Sequence, residues 1–205
     1  MMTKFQPAVS NNFVKSAPVA PINLSLAGSR NHPEKIRPFS RYGLLTAEAR
    51  REILTGRLPD LSAICQELFI SLFPGRYLGT ALPFIPIMQR MEKLTPMAAG
   101  KVERHPAGKI VLVQNDWLKV VLISWKPGDQ TDVHGHPSGG CVFKVLQGKL
   151  QEKRYSPTEI PVLKSVEVYQ ENDLAYIDDR LAFHSVGNPN SGPAISLHAY
   201  TPGTR

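Results

Sequence analysis

Two histidines one residue apart, His134 and His136, are followed five positions later by Cys141 in the stretch VHGHPSGGC. The whole chain has six histidines and two cysteines, so nine residues hold a concentration of side chains that bind metals and carry redox chemistry. On an extended strand residues i and i+2 project to the same face, and both imidazoles can then reach one ion. Taken alone, the pair fits a solvent-facing strand end equally well. Further on, Asn188 follows His184 at the fourth position, and SLHAY sets Ser196, His198 and Tyr200 on alternate residues. Alternation puts those three on one strand face, which in a barrel can be the interior. A buried strand whose polar groups merely satisfy one another has the same pattern.

The spacing extends in both directions. Gly128 precedes His134 with five residues between, and Gly148 follows Cys141 with six between. Glycine, HxH and glycine, then a third histidine and a later asparagine, resemble the two motifs of the cupin superfamily. The departure is the acidic ligand position, where Cys141 stands and no Asp or Glu lies between it and His136. That replacement resembles the cysteine dioxygenase family of thiol dioxygenases, as do the Ser-x-His-x-Tyr alternation, Trp125 nine residues before His134, and the QND at Gln114 to Asp116. The resemblance covers roughly the last hundred residues.

The resemblance implies a ferrous ion held by His134, His136 and His184, and a thioether between Cys141 and Tyr200. It also implies a Tyr200 hydroxyl turned toward substrate and oxygen, with His198 and Ser196 orienting it. Three neutral imidazoles leave the ion its full charge and three adjacent open positions, which a thiolate, its amine and dioxygen can fill. The family grips the substrate carboxylate with an arginine on an early strand. Lys109 occupies that place here, with Arg104 five residues earlier as the second candidate. A lysine holds a carboxylate as a point charge, without the bidentate fork of arginine. The expected activity is iron-dependent oxidation of L-cysteine by O2 to cysteine sulfinic acid. A dioxygenase of another small thiol carboxylate, such as 3-mercaptopropionate, is the nearest alternative. A non-catalytic ligand-binding cupin and a hydrolytic zinc cupin are alternatives of other classes.

Such a site needs a scaffold, and 205 residues suffice for one catalytic domain with an appendage. Residues 1–40, rich in Pro, Asn and Ser, read as a flexible N-terminal segment. They lack the apolar core of a secretory signal, while their scarcity of acids, with Lys4, Lys15 and Arg30, leaves a transit peptide open. Residues 41–100 read as helical. TAEARREILTG is expected to start at a Thr cap, and DLSAICQELFISLFPG at Asp60; PFIPIMQRMEKL is entered through Pro86 and closed before Pro96. Residues 101–205 switch to alternating segments, KIVLVQN, WLKVVLISW, CVFKVLQGKLQEKRY, VLKSVEVYQ, DLAYI and PAISLHAYT, separated by turn residues. The fold class is therefore mainly β, a cupin jelly-roll barrel behind a helical N-terminal part.

Composition sets the remaining bounds. A net charge of +7 comes from scattered Lys and Arg with no basic run interleaved with aromatics, so no nucleic-acid partner is expected. No apolar run approaches the ~20 residues of a membrane helix. Cys65 and Cys141 are too few for a disulfide framework, which points to the cytoplasm, with Cys65 a buried helix residue. The partners expected are a small thiol and O2, and the protein is taken as a monomer.

Overall fold

Thr46 caps the first helix, α1 (Ala47–Leu54), and ties it to the sheet at the same time. Its Oγ1 accepts from the Ala49 amide at 3.1 Å and donates to the Val111 carbonyl at 2.7 Å, and its amide donates to Leu112 O at 2.9 Å. The protein is described by a computed structural model covering residues 42–72 and 79–202, all within one compact unit, Arg37–Arg205. The expectation for residues 1–40 lies outside the described residues.

Three more helices follow: α2 (Ser62–Ile70), α3 (Phe84–Gln89) and α4 (Pro96–Glu103). At α2 the cap position falls on Leu61, and Asp60 contributes one residue early, accepting from Ser62 N at 2.9 Å. Pro86 sits inside the first turn of α3, where its missing amide costs no hydrogen bond. That helix stops at Gln89, well before Leu94, because a side chain from the sheet takes its last carbonyls. Lys144 Nζ, 2% exposed, donates to Met88 O at 3.0 Å and also to Gln89 O and Met91 O. α4 was not expected. Pro96 reads as a helix stop, yet it also suits the first position of a new helix, which Thr95 caps by accepting from Ala98 N at 3.3 Å.

Eight antiparallel strands follow: β1 (Lys109–Gln114), β2 (Lys119–Trp125), β3 (Cys141–Gln147), β4 (Lys149–Tyr155), β5 (Leu163–Gln170), β6 (Leu174–Ile177), β7 (Phe183–Gly187) and β8 (Ala194–Tyr200). They form a five-stranded sheet, β1-β2-β8-β3-β6, and a three-stranded sheet, β5-β4-β7. Eight strands in two antiparallel sheets make the expected jelly roll. The stretch 141–155 reads as one segment in sequence but divides at Gly148, whose φ is +73°. A Cβ there would lie 2.7 Å from Pro193 O, so only glycine lets the chain turn from the larger sheet into the smaller. β7 was not foreseen, since FHSVG is short and carries no alternating apolar pattern.

The larger sheet has two buried faces. Leu112, Leu122, Leu146 and Leu197 pack against the helices through Ala49, Leu68, Phe84 and Met88. Trp125, Phe143, Leu150 and Val186 fill the space between the sheets. β8 is central, so its Ile195, Leu197 and Ala199 serve the helix side and Ser196 and His198 are buried on the other. Cys65 is fully buried, and burial with the nearby Asp60 charge pushes its thiol up to about 12. Among the described residues no helix is long and apolar enough to cross a membrane.

Candidate metal centre

His184 on β7 and His134 bond to each other through their backbones, each amide donating to the other's carbonyl at 2.9 Å. His134 belongs to no ladder strand; its pairing with His184 is an isolated bridge, as is that of Gln130 with Gly187. The HxH pair is therefore on an irregular segment laid beside β7, not on the regular strand its spacing suggests. Pro137 and Gly135 lie within that segment, and Gly135 has a specific cause. A Cβ at Gly135 would sit 2.7 Å from Asp179 Oδ1, the same carboxylate oxygen that accepts from the His136 amide. Glycine admits the acid, and the acid holds His136 in place.

Ligand-capable atoms of His134, His136 and His184 all lie within 4.8 Å of one another, and the ring centroids are 4.5 to 5.2 Å apart. His134 Nδ1 lies 2.8 Å from Asp132 O, and a carbonyl only accepts, so Nδ1 carries a proton and Nε2 is the nitrogen that can offer a lone pair to a metal. His184 Nδ1 lies 2.6 Å from Glu152 Oε1, which imposes the same tautomer. His136 Nδ1 is buried and finds no partner among the described residues. Burial, then the neighbouring His184 and His134, lowers the His136 pKa to about 3, and burial also lowers that of His184. Three clustered imidazoles, each able to offer a ring nitrogen, are a donor set for a divalent transition metal, and the residues present fit one.

Glu152 escaped the sequence reading. Leu150, Glu152 and Arg154 share one face of β4, and a period-two count would have placed the acid inward beside a core leucine. It is fully buried. Burial raises its pKa, but hydrogen bonds from His184 and Arg154 and the guanidinium charge outweigh that, so the carboxyl lies below its ordinary value.

The Ser196, His198, Tyr200 alternation forms a hydrogen-bonded chain. Trp125 Nε1 can only donate, and it donates to Ser196 Oγ at 2.8 Å. Ser196 Oγ also lies 2.8 Å from His198 Nε2, and His198 Nδ1 lies 3.4 Å from the Tyr200 oxygen; with the serine donating to Nε2, the imidazole proton sits on Nδ1, facing Tyr200. Burial, then the three neighbouring histidines and Lys109, lowers His198 to about 3 and keeps it neutral. The Tyr200 ring stacks beside His136 at 6.0 Å between centroids, and burial holds its hydroxyl above the ordinary range. Cys141 is the residue opposite Tyr200 in the β3–β8 register, 1% exposed, its thiol likewise pushed up by burial.

Lys109 and Arg104 line one cavity of about 600 Å³, together with Trp125, Asp129 and Thr131. The lining of that cavity does not include the three histidines or Tyr200; Trp125 connects it to the relay. Asn188 is a loop staple, donating to Trp125 O at 3.2 Å and Gly192 O at 2.8 Å. Asn115 of the QND stretch closes the β1–β2 turn by accepting from the Trp117 and Leu118 amides, each at 2.9 Å.

Comparison with known proteins bears on this half of the chain. Residues 105–204 match the family described as cysteine dioxygenase type I. Cysteine dioxygenase type 1 of Homo sapiens is 34% identical over 93 residues, which is 43% of this chain and 46% of that protein. The protein of the same name from Danio rerio is 33% identical over 94 residues, 43% and 47% of the two chains. The chain thus spans about half the length of the curated relatives it matches. A solved RmlC-like cupin with a double-stranded β-helix fold, from Methanocaldococcus jannaschii, aligns with 49% of this chain and 85% of its own at 18% identity and a TM-score of 0.39. Over residues 105–204 the chain is thus similar to the cysteine dioxygenase family.

Proposed function

We propose that the protein is an iron-dependent thiol dioxygenase that converts L-cysteine and O2 to cysteine sulfinic acid. The observation that carries this reading is the meeting of three clustered histidines with the Tyr200 end of the Trp125-Ser196-His198 chain. Ferrous iron bound by His134, His136 and His184 would supply the redox centre at which a thiolate and dioxygen react. The chain's own residues do the rest. His198 keeps its Nδ1 proton toward the Tyr200 oxygen, so the tyrosine hydrogen is free to turn toward substrate. Phe143, stacked on His198 at 5.2 Å, keeps that imidazole away from water. Lys109 holds the substrate carboxylate as a point charge, with Arg104 in the same cavity as the second candidate.

Cys141 and Tyr200 form a thioether in this reading. A bond forms between Sγ and a ring carbon beside the hydroxyl, the thiol and ring hydrogens leave, and O2 accepts the two electrons and two protons. Two free cysteines and no disulfide among the described residues favour a reducing compartment such as the cytoplasm.

Oxygen uptake by the iron-loaded protein tests the assignment, with L-cysteine and 3-mercaptopropionate compared side by side. Thiol-dependent uptake with cysteine supports it, and none with cysteine sinks it. Faster uptake with 3-mercaptopropionate favours the second reading, for which lysine in place of arginine is the supporting observation. Bound zinc with no iron-dependent oxidation would point to a hydrolytic cupin instead.

A further inference from the structure

Three imidazoles bring no negative charge to a divalent ion, yet a fully buried carboxylate stands one residue behind them. Glu152 Oε1 lies 2.6 Å from His184 Nδ1, while Oε2 accepts from Arg154 Nε at 2.8 Å and from the Tyr169 hydroxyl at 3.0 Å. Arg154 is held in turn by Tyr176 O at 3.1 Å. We propose that Glu152 is a positioning residue of the metal centre, which lends it, through His184, the anionic character that the ligand set lacks. The proposal rests on the reading that the three histidines bind a metal.

The position argues for a purpose. Glu152 shares the inward face of β4 with Leu150, where an apolar side chain would pack without a desolvation penalty. The fold instead surrounds the acid with three donors and divides its oxygens, one for the histidine and the other for the arginine and tyrosine. When a cation binds Nε2, the Nδ1 proton becomes more acidic and its bond to an ionised acceptor strengthens, which favours the bound state. The other two ligands have weaker backing. His134 leans on the neutral Asp132 carbonyl, and His136 Nδ1 has no partner among the described residues. The centre is therefore graded, and His184 is its most firmly oriented and most electron-rich ligand.

The test uses the full chain, freed of metal and titrated anaerobically with Fe(II) against a competing chelator, together with the Fe(III)/Fe(II) midpoint potential of the loaded protein. Glu152→Gln, verified as folded by circular dichroism, is expected to bind Fe(II) about 10–100-fold more weakly and to show a more positive potential. Tyr169→Phe removes one donor to Oε2 and leaves the histidine bond, so its affinity is expected to stay within roughly threefold of the parent. Where Glu152→Gln alone fails to fold because Arg154 loses its partner, the double variant Glu152→Gln with Arg154→Leu removes both charges and must show the same loss. A folded variant with unchanged affinity and potential overturns the proposal. Parent protein that binds no Fe(II) overturns the metal centre and this inference together. Iron binding that depends on Glu152, with no thiol-dependent oxygen uptake, sinks only the dioxygenase reading.

Discussion

Cys141 and Tyr200 face each other across the β3–β8 ladder as direct register partners, with Val142 opposite Ala199 as the next pair. Opposite residues in an antiparallel pair place their side chains on the same face within contact range, so no backbone movement is needed to join these two. The ladder holds the pair ready for the proposed cross-link. Intact mass is therefore expected to fall by two hydrogens after turnover with cysteine, with a more compact band on denaturing gels. Cys141→Ser should never change mass. Active protein that stays wholly unmodified would remove the cross-link and leave the metal centre standing.

The relay gives a second expectation. Ser196→Ala strands both the Trp125 indole N–H and His198 Nε2 in a buried setting. Losing one such oriented hydrogen bond, about 1.4 kcal/mol, should lower kcat roughly tenfold at equal iron content. Steady-state oxygen uptake normalised to bound iron reads this out, and an unchanged kcat would mean that the chain is only structural packing.

Lys109 and Arg104 compete for one role, and two thiols can decide between them. Lys109→Ala should raise KM for L-cysteine about tenfold, the scale of one lost hydrogen bond to a charged group, and leave cysteamine, which has no carboxylate, unaffected. Arg104→Ala serves as the parallel measurement. Equal losses with both thiols would take Lys109 out of carboxylate recognition.

Lys144 is a stability prediction separate from the chemistry. Its replacement by Met keeps the stem but removes the ammonium from the carbonyls of Gln89 and Met91 and from that of Met88, which keeps the Met91 amide at 3.2 Å. The loss should be about 2 kcal/mol, on the order of a 5 °C fall in the melting temperature of the metal-free protein. A melting temperature within about 1 °C of the parent would show that water replaces the ammonium there.

Local signals in the sequence went far. Thr46 is the cap its position suggests, and the alternating runs from 109 onward are strands, because capping and period-two burial are set by a few adjacent residues. Where neighbours in space mattered, local signals misled. α3 ends early because Lys144, more than fifty residues away, takes its carbonyls, and α4 begins at the proline that looked like a stop. FHSVG becomes a strand only because β4 and the His134 segment flank it.

By itself, the sequence marked out the candidate set: His134, His136, His184, Ser196, His198, Tyr200 and Cys141 stand at recognisable spacings, and residue type and interval need no fold to be read. The tertiary structure alone decided how that set is held. Asp179 occupies the space beside Gly135, Trp125 anchors the start of the relay at Ser196, and Glu152 stands behind His184. Those partners come from strands and loops distant in sequence, and only the packing of two sheets sets the distances over which a hydrogen bond can form.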